Sequence, residues 1–369
     1  MTPAELLTRR PHTWWSSPAV TLAGFGAKQI VDPGVGPERF QPPSPTGHPI
    51  TFASFSFDER SAQSVLVVPE TVVEIAAGEV NVSGPQVDLS LPPPTSRRYD
   101  RARFAGSSLP DHLWLEAVGV VIALIEGGAV EKVVLARDHA LWSKEPFDPH
   151  RVLLRLHDRF PECFHFLVEG LVGASPELLI RKRGRQISAL TLAGTAARDE
   201  NSEVDALLAK QLATSEKTRV EHRLAADSVR ATLSRFSSDL SGPIEPELLR
   251  LANVQHLATP FAGRLDGETH ILELVRALHP TPAVGGVPTT DALEVIAAVE
   301  GMDRNRYAGP IGFFRPEGDG EFAIALRCAE LSGARARLFA GNGIVKGSVP
   351  EDELEETRLK LAAMLSALD

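Results

Sequence analysis

Glu353, Glu356 and Lys360 stand at i, i+3 and i+7 near the end of the chain, so on a helix they share one face. Gly341-Asn342-Gly343 precedes them, and glycine lets backbone or ligand approach closely. Two carboxylates and an ammonium beside such a turn suit a hard cation together with an anionic ligand. An ordinary acidic solvent face with a Glu356–Lys360 pair would carry the same residues. Ser348 with Glu351 three residues on reads as a capping box that opens this helix.

Other side chains could join that chemistry. Lys132 begins the apolar run Lys-Val-Val-Leu-Ala-Arg137, where alternation puts Lys132, Val134 and Ala136 on one face. Such a lysine is either an end-of-strand solvent anchor or a desolvated amine able to act as a base. Glu177 follows Pro176 and leads into apolar Leu178-Leu-Ile180; there it is either a surface glutamate after a turn or a part-buried carboxyl able to serve as an acid. Glu221 lies four residues after Lys217, which suits a surface pair, or a carboxylate cage completed with Glu353 and Glu356. Leu192-Ala-Gly-Thr195 and Gly341-Asn-Gly343 offer backbone N–H groups and a hydroxyl to an anion. Arg327 at a strand end could clamp a carboxylate bidentately, whereas His256 in Gln255-His-Leu257 suits a satisfied core histidine.

Composition narrows the class. The chain has 369 residues, 43% hydrophobic and 23% charged, which is a globular composition with length for one large domain or two ordinary ones. A net charge of −10 argues against nucleic-acid binding and means that an anionic substrate needs a local cation. Cys163 and Cys328 are the only cysteines, so there is neither a disulfide framework nor a multi-cysteine zinc site. Val118–Ile125 is too short to span a bilayer, and the N-terminus lacks a secretory apolar core, so a cytoplasmic protein with no membrane contact is expected. Dinucleotide, P-loop, zincin and Gly-x-Ser-x-Gly signatures are absent.

These residues must be held by a frame of strands and helices. Thr2-Pro3-Ala4-Glu5 is a capping box with proline at the first helical position. Between Thr21 and Pro69, apolar runs alternate with Gly/Pro turns and read as strands. Pro92-Pro-Pro-Thr-Ser96 reads as an extended spacer, dividing an N-terminal β-rich part (1–95) from the body (100–369), the two forming one integrated domain. In the body we expect helices at 111–127, 149–160, 203–236 (broken near Thr214-Ser215), 269–278 and 290–299. Strands are expected at 132–142, 164–168, 178–180, 186–190 and 254–265. Tyr307–Phe314, Glu321–Arg327 and Arg335–Val345 read as a β-meander before the last helix. Short connections imply antiparallel pairing, hence an α+β class. Leu278–Pro288, dense in proline and glycine, reads as a rigid, shaped loop.

Taken in order, the segments 132–137, 173–178, 192–195, 221–222, 255–257, 278–288, 304–312, 324–327 and 341–360 resemble the chorismate-utilising enzymes, and among them the isochorismate synthases. The resemblance implies a large two-layered antiparallel β core flanked by helices, with a central cleft in a single domain. It implies chorismate as substrate and Mg²⁺ as cofactor. Lys132 would be the base activating water for attack at ring carbon C2, and Glu177 the acid protonating the departing C4 hydroxyl. Glu221 and Glu356 would hold the metal, with Glu353 nearby. Arg327, Tyr307, Lys360, Gly194, Thr195, Gly341 and Gly343 would bind carboxylates, His256 would line the ring pocket, and Arg304 or Arg306 would be the family arginine. Ala193 stands where aminodeoxychorismate synthases place a reactive lysine, so water is the expected nucleophile; a monomer without a glutaminase subunit is expected. A salicylate synthase would share most of these residues. Thr218, Asn342 and Val349 depart from the usual Asp/Asn/Glu, alanine and aspartate, which leaves open a catalytically silent chorismate-binding protein. The product could feed siderophore, menaquinone or other metabolism.

Overall fold

The computed structural model describes residues 1–44, 47–87, 102–252 and 254–368; the 92–96 spacer lies outside them. Among the described residues, alternating apolar strands pair into two antiparallel sheets, of eleven and nine strands. The centre of the larger sheet runs Lys132–Trp142, Arg335–Val345, Cys328–Ser332, Leu171–Ser175, Phe164–Val168, Thr13–Ser16. The smaller runs from Glu247–Arg250 through Val254–Arg264, Gln186–Ala197, Leu178–Arg183, Gly320–Ile324 and Pro310–Phe314 to Thr51–Ser54 and two further strands. Strands from the first 83 residues thus complete both sheets by hydrogen bonding to strands of the body.

The period-2 rule explains the layers. Trp15, Phe166 and Phe339 of the larger sheet enter a core shared with Phe52, Phe313 and Phe322 of the smaller. Their neighbours Trp14, Leu167 and Leu338 face the other way, against Leu6 and Leu7 of the first helix, Leu153 and Leu156 of the Pro149–Arg159 helix, and Leu361 and Met364 of the Pro350–Leu368 helix. Trp15 Nε1 donates to Glu321 Oε1 at 3.1 Å, which satisfies its polar atom across the two layers.

The helices follow their sequence signals. Thr2 and Glu5 form the expected reciprocal cap, Asp148 caps the Pro149–Arg159 helix, and the charged region breaks at Ser215 into Ser202–Thr214 and Glu216–Leu233, with Ser215 Oγ capping the second. Among the described residues no helix is long and apolar enough to cross a membrane.

Two expectations need correction. The meander does not exist: Pro310–Phe314 and Gly320–Ile324 pair in the smaller sheet, while Cys328–Ser332 and Arg335–Val345 pair in the larger. The apolar run to Arg327 is therefore not one strand; it ends at Ile324, and Ala325–Arg327 cross between sheets. The last helix starts at Pro350, so Ser348 lies one residue outside the cap position; its Oγ accepts from Val345 N at 3.2 Å instead. Proline's fixed φ and missing N–H favour the first helical position, which sets this start.

Candidate active site

The two sheet-to-sheet crossings lie side by side. One runs from Ser175 through Pro176-Glu177 to Leu178, the other from Ile324 to Cys328, and Ala174 N donates to Arg327 O at 3.2 Å while Ile324 N donates to Glu177 O at 3.2 Å. The crossings bring Glu177 and Arg327 to one pocket. Gly194, Thr195, Glu221, His256, Tyr307, Gly341, Gly343 and Lys360 also line it. Lys132, Glu353 and Glu356 do not; they lie behind or beside this lining.

Strand register places the pocket's glycine wall. Arg335–Val345 pairs with Lys132–Trp142 along all eleven residues, setting Gly343 opposite Val134 and Val345 opposite Lys132. A Cβ at Gly343 would stand 2.1 Å from Glu221 Oε1 and 2.8 Å from Lys132 Cε. Only glycine leaves room for that ion pair, Lys132 Nζ–Glu221 Oε1 at 3.3 Å. Lys132 is fully buried, and apart from the ion pair with Glu221 its Nζ has no hydrogen-bond partner among the described residues. The solvent-anchor reading of Lys132 is thereby excluded, as is a Lys217–Glu221 surface pair, since Lys217 bonds Glu353 instead.

Glu177 is buried as well. Burial pushes its carboxyl up to about 8, against the opposing pull of Lys132, the Leu192 N–H and Lys360, so it is protonated at neutral pH. The acid thus lines the pocket, and the amine behind the Gly343 wall acts on it through its charge.

Opposite them, the Gln186–Ala197 strand bulges between Ala193 and Ala196, with Gly194 at φ +70°. The bulge turns Gly194 O away from the ladder to accept from His256 Nδ1 at 2.8 Å. A Cβ at Gly194 would meet Thr218 Cγ2 at 2.2 Å, so Thr218 serves as packing against the bulge. Arg327 Nη2 lies 2.6 Å from His256 Nε2, while its buried Nη1 has no hydrogen-bond partner among the described residues and is the donor left for a ligand carboxylate. Tyr307 stacks on Phe339 at 4.9 Å, and burial pushes its phenol well up, so it acts as a neutral donor. Arg304 is pinned by Glu300, Val284 O and Val134 O and serves as wall; Arg306 binds Val168 O and Glu169 O away from the pocket.

The carboxylates of the last helix are held by lysines. Lys360 Nζ reaches Glu356 Oε1 at 2.9 Å, Gly341 O at 2.8 Å and Asn342 Oδ1 at 2.7 Å. Lys217 pairs with buried Glu353. Asn342 Nδ2 donates to Glu353 O at 2.6 Å and Oε2 at 3.2 Å, so this residue ties strand to helix. Burial lowers Lys217's affinity for its proton, but the charges of Glu353, Glu356 and Glu221 outweigh it and raise the pKa; of the three, Glu353 is the one in contact with the ammonium. The donor chemistry, oxygen-only and anionic, fits a hard divalent cation. Among the described residues, however, no three such side chains converge on one point.

Residues 91–369 match the family model described as chorismate binding enzyme. The chain belongs to the chorismate-binding enzymes. Among relatives of this chorismate-binding chain, the isochorismate synthase EntC of Escherichia coli is 35% identical over 86% of this chain and 81% of its own. The salicylate biosynthesis isochorismate synthase of Pseudomonas aeruginosa is 43% identical over 69% of this chain and 54% of its own. The structure of DhbC from Bacillus anthracis superposes with a TM-score of 0.85 at 30% identity, covering 99% of both chains.

Residue types alone did not flag Lys217 as more than a surface cation, nor Phe339, Ala283 and Val284 as pocket wall. Asn342 stood out only as a departure from alanine.

Proposed function

We propose that this chorismate-binding enzyme is an isochorismate synthase, an isomerase that adds water at C2 of chorismate and expels the C4 hydroxyl. The observation that carries the reading is the buried amine of Lys132, set beneath the pocket's Gly343 wall, whose charge acts on the protonated carboxyl of Glu177 in the pocket lining. Water is a poor nucleophile and hydroxide a poor leaving group, so both ends of the reaction need a proton handler. Lys132 accepts a proton as the water oxygen bonds to C2. The ring double bonds shift, the C4–O bond breaks, and Glu177 supplies the proton with which that oxygen leaves as water. The two side chains then exchange protons with solvent to reset. Arg327 Nη1, Tyr307 and Lys360 receive the substrate's two carboxylates in a chain whose overall charge would otherwise repel them. Glu221 and Glu356, with Glu353 beside them, would hold Mg²⁺, and the ion when bound would neutralise the ring carboxylate. Because water is the nucleophile, no glutaminase subunit is needed.

The deciding experiment incubates the protein with chorismate and Mg²⁺ and separates the products chromatographically. Isochorismate as sole product is expected. Salicylate with pyruvate would replace the reading by a lyase, and binding without turnover would replace it by a silent chorismate-binding protein.

A further inference from the structure

Every glutamate of the expected metal set holds a lysine: Glu221 holds Lys132, Glu353 holds Lys217 and Glu356 holds Lys360. The three lysines are not equivalent. Lys132 is fully buried beneath Gly343, and Lys360 is anchored by Gly341 O and Asn342 Oδ1 besides its glutamate. Lys217 has Glu353 as its one hydrogen-bond partner among the described residues, and its side chain is 33% exposed. Glu353, by contrast, keeps its hold on Asn342 if Lys217 leaves.

We propose that Lys217 is the internal counter-cation of this carboxylate set, supplying in the metal-free protein the charge that a divalent ion supplies when bound, so that Lys217 and the metal oppose each other. The inference rests on the assignment of Glu221, Glu353 and Glu356 to the metal. Its physical basis is direct. Glu353, Glu356 and Glu221 each act by charge on Lys217, and an ammonium within reach of three carboxylates offsets their mutual repulsion. A divalent cation entering the same field must displace the ammonium or bear its charge. Lys217 is the lysine that can move, because it is the most exposed and the least tethered. A lysine whose role was only to hold Glu353 in place would act in the opposite direction, since its loss would loosen a ligand.

The test is calorimetric titration of MgCl₂ into the full-length protein without chorismate, at fixed ionic strength, for wild type, Lys217→Met and Lys217→Gln. Thermal melts in EDTA and in excess Mg²⁺ accompany it. Removing the ammonium is expected to tighten Mg²⁺ binding about tenfold or more. It should also lower the melting temperature in EDTA and enlarge the rise that Mg²⁺ produces. Lys217→Arg, which keeps the charge, is expected to bind Mg²⁺ as wild type does. Unchanged or weaker binding in both neutral variants, with wild type binding normally, overturns the role of Lys217 alone. Absence of Mg²⁺ binding in wild type and variants alike overturns the metal assignment and this inference with it. Should Lys217→Met fail to fold, Lys217→Gln and the melting shifts decide the matter.

Discussion

His256 Nε2 accepts a hydrogen bond from Arg327 Nη2 at 2.6 Å while its Nδ1 donates to Gly194 O at 2.8 Å. Burial, followed by the charge of Arg327, pushes the imidazole down to about 3, so it is neutral at working pH and both nitrogens are committed. His256 therefore aims the Arg327 guanidinium and is a positioning residue. His256→Ala is expected to raise KM for chorismate about tenfold, from loss of a buried bond to a charged group, with kcat changed far less. His256→Gln should recover part of the loss. Steady-state kinetics decides: a selective fall in kcat would assign the imidazole to proton transfer.

Glu177 predicts the pH profile. Its acid form is required, and with a pKa of about 8 in the folded protein, kcat should hold at neutral pH and fall as pH rises through that value. The same shift affects stability. Raised from an ordinary 4.5, the group contributes most below that pH and loses its contribution as pH climbs through about 8. Glu177→Gln keeps the shape without a transferable proton. It should cost about 10²–10⁴ in kcat and leave chorismate binding, read by calorimetry, nearly intact.

Lys132→Ala removes the amine beneath the glycine wall. Turnover should disappear while binding is largely retained, because Lys132 does not line the pocket. Full activity in this variant would end the assignment of Lys132 as the base.

Gly343→Ala tests the close approach. The new methyl would stand 2.1 Å from Glu221 Oε1, so the Lys132–Glu221 pair must part. We expect a folded protein destabilised by about 1–3 kcal/mol, as for overpacking, with activity reduced at least as far as in Glu221→Gln. Urea unfolding together with the product assay measures both.

Asn342→Ala removes bonds to Glu353 and Lys360. Unfolding free energy should fall by about 1–3 kcal/mol, since buried partners lose their bonds. KM should rise as Lys360 loosens. A variant as stable as wild type would show that water takes over those bonds.

Much of the frame was legible in one dimension, because its causes are local. The Lys132–Trp142 and Arg335–Val345 strands follow from alternation, and the Thr2, Asp148 and Ser215 caps follow from side chains that bond backbone within three residues. The ordered motifs also named many of the residues that line the pocket, while Lys132, Glu353 and Glu356 fall outside that lining. Tertiary structure alone decided where the chain leaves one sheet for the other, at Glu177 and again before Cys328, since an apolar run looks the same whether it continues or crosses. It likewise decided which lysines Glu221 and Glu353 hold, whereas the Glu356–Lys360 pair was already legible as i,i+4. Lys217 and Glu353, or Lys132 and Glu221, are far apart in sequence and meet only through sheet register and helix packing, and charge pairing over such separations leaves no periodic trace in the sequence.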